Sequence, residues 1–348
     1  MQYPKISILI PTYNRSGYLS CCIESVLVQD YPNFEVIVSD NASTDNTKQI
    51  MEKYLSNKKV RYYRNDTNIG IINNWKKLLY DYAEGEYGKL LCDDDYLLDK
   101  EHLKKGMDLI TSENIDLVVS GCLQILIGKS EKKIEEVSYD FNIPKITDTN
   151  WWLDNGGKKS TGHRLFINFN SGAIFKIKKA KELEAFIPDA FGLDYEILIR
   201  FLLSGKTGYL DGHHFAARLH PENDGGAQDF KLALSGTEMF DRLYNYGIVK
   251  DLPQEKCLKF KKRNLIVFTS IFLVNKWFRE NSVNVKSIYG FYKTISRVEK
   301  NIFFEIMTEY STICWLIRIK NEKMFNFLQK VLRKLKGTKK QYKYDTIF

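Results

Sequence analysis

The sequence predicts an α/β fold, in which a mainly parallel sheet is flanked by helices and followed by a helical C-terminal extension. Short runs rich in β-branched residues alternate with segments of helical periodicity over residues 5–122. Strands that alternate with helices of about ten to fifteen residues are typical of βαβ units and a parallel sheet. From about residue 229 onward the pattern is helical. We therefore expect two parts, residues 1–225 and residues 226–348.

Each predicted strand is a short apolar run bounded by turn residues. In chain order the predicted strands are 5–11, 34–38, 60–64, 87–92, 117–122, 170–175, 208–211 and 215–220. Each predicted helix has apolar residues at intervals of three and four. These helices are 18–27, a segment that ends near residue 55, 72–82, 100–112 and 193–203. Residues 128–166 are polar and irregular, and we expect loops there.

Three consecutive carboxylates, Asp93, Asp94 and Asp95, follow the predicted strand 87–92. Open α/β sheets bind their ligands at the carboxyl ends of the strands. Adjacent carboxylates repel one another unless a cation is near, and carboxylate oxygens are suitable ligands for Mg²⁺ or Mn²⁺. The pattern therefore indicates a divalent cation site. A solvated acidic loop is the other interpretation of a bare triplet.

The composition excludes several classes of protein. A chain of 348 residues with 44% hydrophobic and 14% aromatic residues is too apolar to be disordered. Its six cysteines show no Cys-x-x-Cys spacing, which indicates reduced thiols in a cytosolic protein. The start of the sequence does not resemble a secretory signal, and no apolar stretch is long enough to span a bilayer. Without an RNA-binding motif, nucleic acid is not an expected partner.

The basic charge is concentrated at the end of the chain. Residues 325–348 hold seven basic residues and one acidic residue, within a net charge of +9. An apolar stripe recurs at helical spacing in the same segment. Its members are Phe325, Leu328, Val331, Leu332 and Leu335. This pattern predicts an amphipathic helix that binds an anionic membrane surface. A helix packed on the body of the protein is the alternative.

Five ordered motifs between residues 4 and 225 resemble family 2 glycosyltransferases. The first combines residues 7–14 (SILIPTYN), 25–29 (SVLVQ) and 36–45 (VIVSDNASTD). The others are residues 68–70 (NIG), the Asp triplet, residues 193–196 (LDYE) with Arg200, and residues 218–220 (RLH). The resemblance implies the GT-A fold, and it is strongest to bacterial enzymes that build O-antigen, capsule and related surface glycans.

The resemblance also implies roles for individual residues. The first loop and the carboxylate of Asp40 are expected to hold the nucleotide base and ribose, and Arg218 is expected near the diphosphate. The full set of expected nucleotide-binding residues is Pro11, Thr12, Tyr13, Asn14, Asp40, Asn68, Gly70, Asp93, Asp94 and Arg218. The expected ligands of Mn²⁺ or Mg²⁺ are Asp95 first, then Asp93 and His220. Asp194 matches the catalytic base.

The sequence departs from the family pattern in three places. A Glu often precedes the base but is absent here, which leaves the choice between Asp194 and Glu196 open. An Arg common in the helix after the Asn-x-Gly turn is also absent, so Lys76 supplies that contact or the contact is lost. Cys92 stands where a first Asp is common, so the register of the metal-binding carboxylates is open to a shift.

The expected activity is inverting transfer of a sugar from a nucleotide-diphosphate donor, by default a UDP-sugar, to a hydroxyl of a glycan acceptor. For surface polysaccharide assembly we expect a lipid-linked acceptor and an enzyme in the cytoplasm, at the inner face of the membrane. A non-catalytic module that binds nucleotide-sugar or glycan is the alternative. Residues 155–162 are expected to form a mobile loop that closes over the site. Trp151 and Trp152 are candidates either for stacking on a sugar or for a small core cluster.

Overall fold

The computed structural model describes residues 3–127, 133–138, 143–156, 169–187, 192–220 and 236–265. The chain divides into two compact units, Met1–Thr269 and Ser270–Phe348. Every described residue belongs to the first unit. The predicted membrane-binding tail and most of the predicted mobile loop lie outside the described residues. The boundary at residues 225 and 226 stays a prediction. In the described ranges, no helix has the length and apolar character needed to cross a membrane.

Ten strands form one sheet within the described residues. They are β1 (Ile6–Thr12), β2 (Phe34–Asp40), β3 (Val60–Arg64), β4 (Tyr87–Leu90), β5 (Tyr96–Leu97), β6 (Leu117–Ile127), β7 (Lys133–Ser138), β8 (Ile146–Thr147), β9 (Ala173–Lys176) and β10 (Thr207–Leu219). The order across the sheet is β3-β2-β1-β4-β9-β6-β10-β5. The first four strands in this order are parallel, and β6 is parallel to β10. β9 lies between these two groups and is antiparallel to both neighbours.

Helices connect the strands, as the alternating pattern predicts. They are α1 (Ser16–Leu27), α2 (Thr47–Glu52), α3 (Ile71–Lys76), α4 (His102–Glu113), α5 (Thr149–Asn155), α6 (Phe169–Gly172), α7 (Ile177–Glu182), α8 (Leu193–Leu202), α9 (Met239–Val249) and α10 (254–265). The segment Lys77–Tyr82 continues α3 as a π-helix.

Two parts of the predicted pattern are wrong in detail. The region predicted to be irregular contains β7, β8 and α5. β7 pairs only with β6 among the described strands, and charged sequences such as KIEEVS are common on edge strands because they discourage further pairing. The strand predicted at 170–175 is also shorter than expected. Its first residues form α6, and the extended part begins at Ala173.

The core lies on both faces of the sheet. Ile8 and Val36 belong to one buried cluster, whereas Leu9 and Ile37 belong to the other. Side chains alternate between faces along a strand, so neighbouring apolar residues enter opposite clusters. Every residue of β1 and β2 is buried, as expected for strands covered by helices on both sides. The five described cysteines are free thiols, three of them buried, which agrees with the predicted reduced state.

The register of the strands brings several loops to one edge. Thr12 pairs with Asp40, and Leu9 pairs with Leu90, so the segments after β1, β2 and β4 emerge together. β10 reaches the same region. Phe215 and Ala216 of β10 pair with β5, which directly follows the Asp triplet.

Candidate active site

The Asp triplet lies between β4 and β5 and is buried. Asp93, Asp94 and Asp95 are only 3%, 4% and 5% exposed. The interpretation as a solvated acidic loop is therefore wrong. Because an isolated carboxylate is costly to bury, these three groups need compensating cations or hydrogen-bond donors.

A guanidinium and an imidazole reach the triplet. Arg15 Nη1 lies 2.8 Å from Asp94 Oδ2 and 3.3 Å from Asp93 Oδ1. His220 Nε2 lies 3.2 Å from the same Asp94 oxygen, and its ring stacks on Tyr18 at 4.5 Å between centroids. The sequence interpretation assigned no role to Arg15. The available signal was its position directly after the SILIPTYN motif.

Arg218 is joined to the triplet through both its backbone and its side chain. Its backbone N–H donates to Asp95 Oδ1 at 3.1 Å, and its Nε donates to the Asp94 carbonyl oxygen. The guanidinium lies over the rings of Tyr18 and Tyr96, at 4.8 Å and 5.1 Å from their centroids. The end of β10 therefore holds a guanidinium beside the triplet, and its contact with a diphosphate stays a prediction.

The electrostatics of the triplet favour an additional cation. Burial and the charge of Asp94 raise the pKa of Asp93 and of Asp95 well above the ordinary value of an aspartate. One buried oxygen of Asp93 has no hydrogen-bond partner among the described residues. Ligand atoms of Cys92, Asp94 and Asp95 all lie within 4.8 Å of one another. The group of Cys92, Asp94 and Asp95 therefore fits a divalent cation. Such an ion would neutralise the repulsion between the carboxylates, which Arg15 offsets only in part.

The converging ligand set differs from the expected one. The expected ligands were Asp95, Asp93 and His220, whereas the ligand atoms that converge belong to Cys92, Asp94 and Asp95. His220 hydrogen-bonds Asp94 but does not belong to the converging group. The roles of Asp93 and His220 as ligands stay predictions. The Cys at the position of the family's first Asp therefore contributes a potential sulfur ligand.

The expected base and ribose site is built from the loops that follow β1 and β2, which hydrogen bonds join. Asp40 is completely buried, and its oxygens accept hydrogen bonds from Tyr62 at 2.6 Å, Arg64 at 2.7 Å and the Ser43 amide at 2.8 Å. The backbone of Asn14, in the first loop, has a positive φ of 53°, which lies in the left-handed region. Asp40 thus organises its own loop, and its contact with a base stays a prediction.

The other residues expected in this site lie near the same edge of the sheet. Pro11 and Thr12 are buried at the end of β1, whereas Tyr13 is 43% exposed. Asn14 joins the first loop to the second, because its backbone N–H donates to Ser43 Oγ at 2.9 Å. The first loop therefore presents an exposed aromatic ring beside buried polar groups.

Asn41 connects this loop with the Asn-x-Gly turn. Its Nδ2 donates to Asn68 Oδ1 at 2.7 Å, and its Oδ1 accepts from the Ile69 amide at 3.0 Å. Gly70 has a φ of 83°, a conformation that glycine adopts without strain. Asn41 lies in the third segment of the first motif, residues 36–45, but no role was assigned to it. Its position immediately after Asp40 was the only sequence signal.

The segment that lacks the family's usual Arg has a structural asparagine. Asn74 is 2% exposed and accepts from Ser39 Oγ at 2.6 Å and from Asn65 Nδ2 at 3.0 Å. Lys77 Nζ donates to Asn65 Oδ1 at 2.8 Å. A cation contact from Lys76 stays a prediction, and Lys77 is the lysine that joins this hydrogen-bond network.

The two candidate bases on α8 have different surroundings. Burial raises the pKa of Asp194, and a hydrogen bond of 3.2 Å from Asn170 Nδ2 opposes that rise. Glu196 is 2% exposed and is bound by two guanidiniums, from Arg200 at 2.7 Å and from Arg242 at 2.6 Å. Glu196 therefore acts as the centre of an ion-pair cluster, which joins α8 to α9.

We expect Glu196→Gln to lower the free energy of unfolding by about 2–3 kcal/mol, because a buried charge bound by two cations is lost. The matched control is Glu184→Gln. Glu184 pairs with the same Arg200 at 3.6 Å but is 67% exposed at its side chain. It should contribute less than about 1 kcal/mol. Urea denaturation of both variants checks this, and equal losses would contradict the assignment of Glu196 to the structural cluster.

The tandem tryptophans divide between two environments. Trp152 is 1% exposed, and its Nε1 donates to Thr147 Oγ1 at 2.8 Å. It belongs to the core cluster that contains Leu9. Trp151 is only partly buried and packs edge-on against Trp152 at 4.8 Å. The core interpretation is therefore confirmed for Trp152.

The sequence model described as "Glycosyl transferase family 2" matches residues 7–175. This chain carries a family 2 glycosyltransferase domain. The match includes β1, the Asp triplet and α6, so the acidic cluster belongs to the family domain. Asp194, Arg218 and His220 lie beyond the matched residues.

Two curated relatives extend this family 2 assignment. The chain is 35% identical over 187 residues to "Poly(ribitol-phosphate) beta-N-acetylglucosaminyltransferase TarS" of Staphylococcus aureus, which covers 53% of this chain and 30% of TarS. It is 36% identical over 96 residues to the "GalNAc(5)-diNAcBac-PP-undecaprenol beta-1,3-glucosyltransferase" of Campylobacter jejuni, covering 27% of this chain and 31% of that protein. The chain thus spans about a third of the length of these relatives.

The fold of this chain is similar to that of a crystallised fragment of Staphylococcus aureus TarS. The crystal structure of TarS 1–349 in complex with UDP-GlcNAc has a TM-score of 0.62 at 19% identity. The similarity covers 99% of this chain and 94% of the fragment. The predicted GT-A fold is confirmed.

Proposed function

We propose that this chain is an inverting glycosyltransferase, which moves a sugar from a nucleotide-diphosphate donor to a hydroxyl group of a glycan. The observation that carries the proposal is the buried Asp triplet of the family 2 domain, with Arg218 and His220 in contact with it. A buried acidic cluster with an adjacent guanidinium suits a ligand that contains both a metal ion and a diphosphate.

On the donor side, the carboxylates of Asp94 and Asp95 would hold Mn²⁺ or Mg²⁺ through oxygen atoms, with the Cys92 sulfur beside them. When bound, the ion supplies positive charge to the diphosphate as the glycosidic bond breaks. Arg218 adds a guanidinium close to the same carboxylates. Fixed charges aimed at the leaving group lower the barrier, because they need no reorganisation during the reaction. Tyr13 and Asn14, both exposed on the first loop, are the contacts for the base and ribose, and the buried Asp40 holds the neighbouring loop in place.

On the acceptor side, Asp194 takes the proton of the attacking hydroxyl. A partly buried carboxylate with a raised pKa is a stronger base than an exposed aspartate. Glu196 is less suited to this task, since Arg200 and Arg242 already bind both of its oxygens. Attack occurs from the face opposite the leaving diphosphate, so one base is sufficient and the anomeric configuration inverts.

The donor and the acceptor are proposed from the relatives' names. TarS is named as a poly(ribitol-phosphate) β-N-acetylglucosaminyltransferase and was crystallised with UDP-GlcNAc. The Campylobacter jejuni relative is named for an undecaprenol-linked acceptor. We therefore propose a UDP-sugar as the donor and a surface glycan as the acceptor. The proposed acceptor is free or linked to a lipid. Placement at the inner face of the membrane remains part of this proposal.

A thermal-shift screen tests the donor site. UDP, GDP, CDP and dTDP are each added with and without Mn²⁺, and the melting temperature is recorded. A nucleotide at 100 times its dissociation constant should stabilise the folded state by about 2.7 kcal/mol. We expect stabilisation by UDP that requires Mn²⁺. Absence of a shift with all four nucleotides would contradict the proposal.

A donor-hydrolysis and transfer assay then tests catalysis. Release of UDP from UDP-GlcNAc, or from another UDP-sugar, should be slow without acceptor and faster with a glycan acceptor. Tight nucleotide binding without any hydrolysis or transfer would instead favour a non-catalytic binding module.

A further inference from the structure

One short helical turn, α6, contacts both proposed halves of the active site. Asn170 Nδ2 donates to Asp194 Oδ2 at 3.2 Å, on the acceptor side. The next residue, Ser171, donates from Oγ to Asp95 Oδ2, on the donor side. Asn170 is 7% exposed and Ser171 is completely buried. Two consecutive side chains therefore bind the two carboxylates to which different chemical roles are proposed.

The turn is itself anchored in the core. Lys89 Nζ donates to the Ser171 carbonyl oxygen, and Ser120 Oγ donates to the Gly172 carbonyl oxygen at 3.2 Å. The Cys92 amide donates to Ser171 Oγ at 3.3 Å. Lys89 and Ser120 are both completely buried. Buried hydrogen bonds of this kind hold a turn rigidly, since breaking one leaves an unsatisfied polar group.

The contacts from α6 also act on the charge of the two carboxylates. A donor that hydrogen-bonds an ionised carboxylate stabilises the charged form. Ser171 thus opposes the effect of burial on the pKa of Asp95, and Asn170 does the same for Asp194. Each contact fixes the direction of a carboxylate oxygen and favours the ionised form against the effect of burial. Ionised carboxylates are needed both to hold a cation and to accept a proton.

We propose that Asn170 and Ser171 are positioning residues, which set the separation of the donor carboxylate Asp95 and the base Asp194 through one rigid turn. The inference rests on the proposed function. Its physical basis is that a displacement of about 1 Å at a reacting group can reduce the rate about 100-fold. A shared turn prevents the two carboxylates from moving independently.

The Ser171→Ala variant tests the donor half. It removes the hydroxyl contact with Asp95 and should weaken Mn²⁺ binding about tenfold, because contacts behind metal ligands typically contribute 10- to 100-fold. Isothermal titration with Mn²⁺ measures this without a substrate. Ser120→Ala is the matched control, since the Ser120 hydroxyl anchors the same turn through the Gly172 carbonyl oxygen and bonds no carboxylate among the described residues.

The Asn170→Ala variant tests the acceptor half. Without the Asn170 donor, the ionised form of Asp194 is less stable and its pKa rises further. The acid limb of kcat against pH should then move to higher pH, whereas Mn²⁺ affinity should stay within twofold of wild type. If Asn170 had a structural role alone, Asn170→Ala would lower kcat without shifting the acid limb of the pH profile.

The pattern of results across the three variants decides the inference. Mn²⁺ affinity reduced equally in Ser171→Ala and Ser120→Ala would overturn it, and so would an unmoved acid limb in Asn170→Ala. Asp194→Asn is measured in the same series. If that variant retains wild-type turnover, the assignment of Asp194 as the base fails and the inference fails with it, whereas nucleotide binding and sugar transfer still test the proposed function. If Asp194→Asn is inactive while the α6 variants match the control, the inference alone is wrong.

Discussion

The Asp194→Asn variant is expected to lower kcat for sugar transfer by about 10²- to 10⁴-fold. General-base catalysis contributes a factor of this size, and an amide does not accept the proton of the acceptor hydroxyl. Substitution by the near-isosteric Asn keeps the volume of the side chain beside Asn170. The KM of the donor should change little, because Asp194 lies on the acceptor side. Steady-state kinetics with a UDP-sugar and a glycan acceptor measure both constants.

Glu196→Gln separates the two acidic residues of α8. We expect this variant to lose stability, as argued above, while the folded fraction keeps most of its kcat. Arg200 and Arg242 bind the Glu196 carboxylate from both sides, so it is poorly placed to accept a proton. The reverse result, with an inactive Glu196→Gln and an active Asp194→Asn, would assign the base to Glu196.

The pH dependence of kcat provides an independent readout of Asp194. Burial raises the pKa of this carboxyl group above the usual range of an aspartate. Only the deprotonated form accepts a proton, so activity should fall as the pH drops through the raised pKa. The acid limb should therefore lie at higher pH than an exposed aspartate would give. An acid limb at the pH where an exposed aspartate titrates would contradict the buried environment of Asp194.

Removal of the divalent cation should lower the rate of sugar transfer about as much as the Asp194→Asn substitution does. Chelation with EDTA is expected to reduce transfer by about 10³-fold, since several kcal/mol of charge stabilisation is lost and each 1.4 kcal/mol corresponds to a factor of ten. Mn²⁺ should restore activity. The Asp94→Asn variant should lose at least about 100-fold and should no longer be stabilised by Mn²⁺ in a thermal shift.

The matched control for Asp94 is Asp99→Asn. Asp99 also pairs with a histidine and a basic side chain, His214 at 3.0 Å and Lys105 at 2.9 Å. It does not belong to the converging ligand group. This variant should keep its response to Mn²⁺ and its activity. Activity of the wild-type enzyme that is unchanged by EDTA would show that metal is not required.

Much of the fold could be predicted from local pattern. The strands β1, β2 and β3 were predicted within about two residues, because apolar β-branched runs between turn residues leave few alternatives. The region around β7 was harder to predict. A charged edge strand has no apolar alternation, so only its pairing with β6 defines it.

The candidate site could be predicted where one motif carries the chemistry. The Asp triplet, Arg218 and His220 were identified from motifs, and the structure brings them together. Arg15 was missed, since its contact with Asp94 joins residues 79 positions apart. The contact of Ser171 with Asp95 joins residues 76 positions apart, so neither local sequence pattern predicts it.

The sequence by itself determined the alternation of strands and helices and the placement of polar residues at strand ends. These features depend on interactions between residues close along the chain. Only the tertiary structure decided which carboxylate is bound by cations. Glu196 meets Arg242, 46 positions away, whereas Asp194 meets Asn170 on a different element. Charge and pKa depend on burial and on neighbours in space, and these are set when the sheet and helices pack.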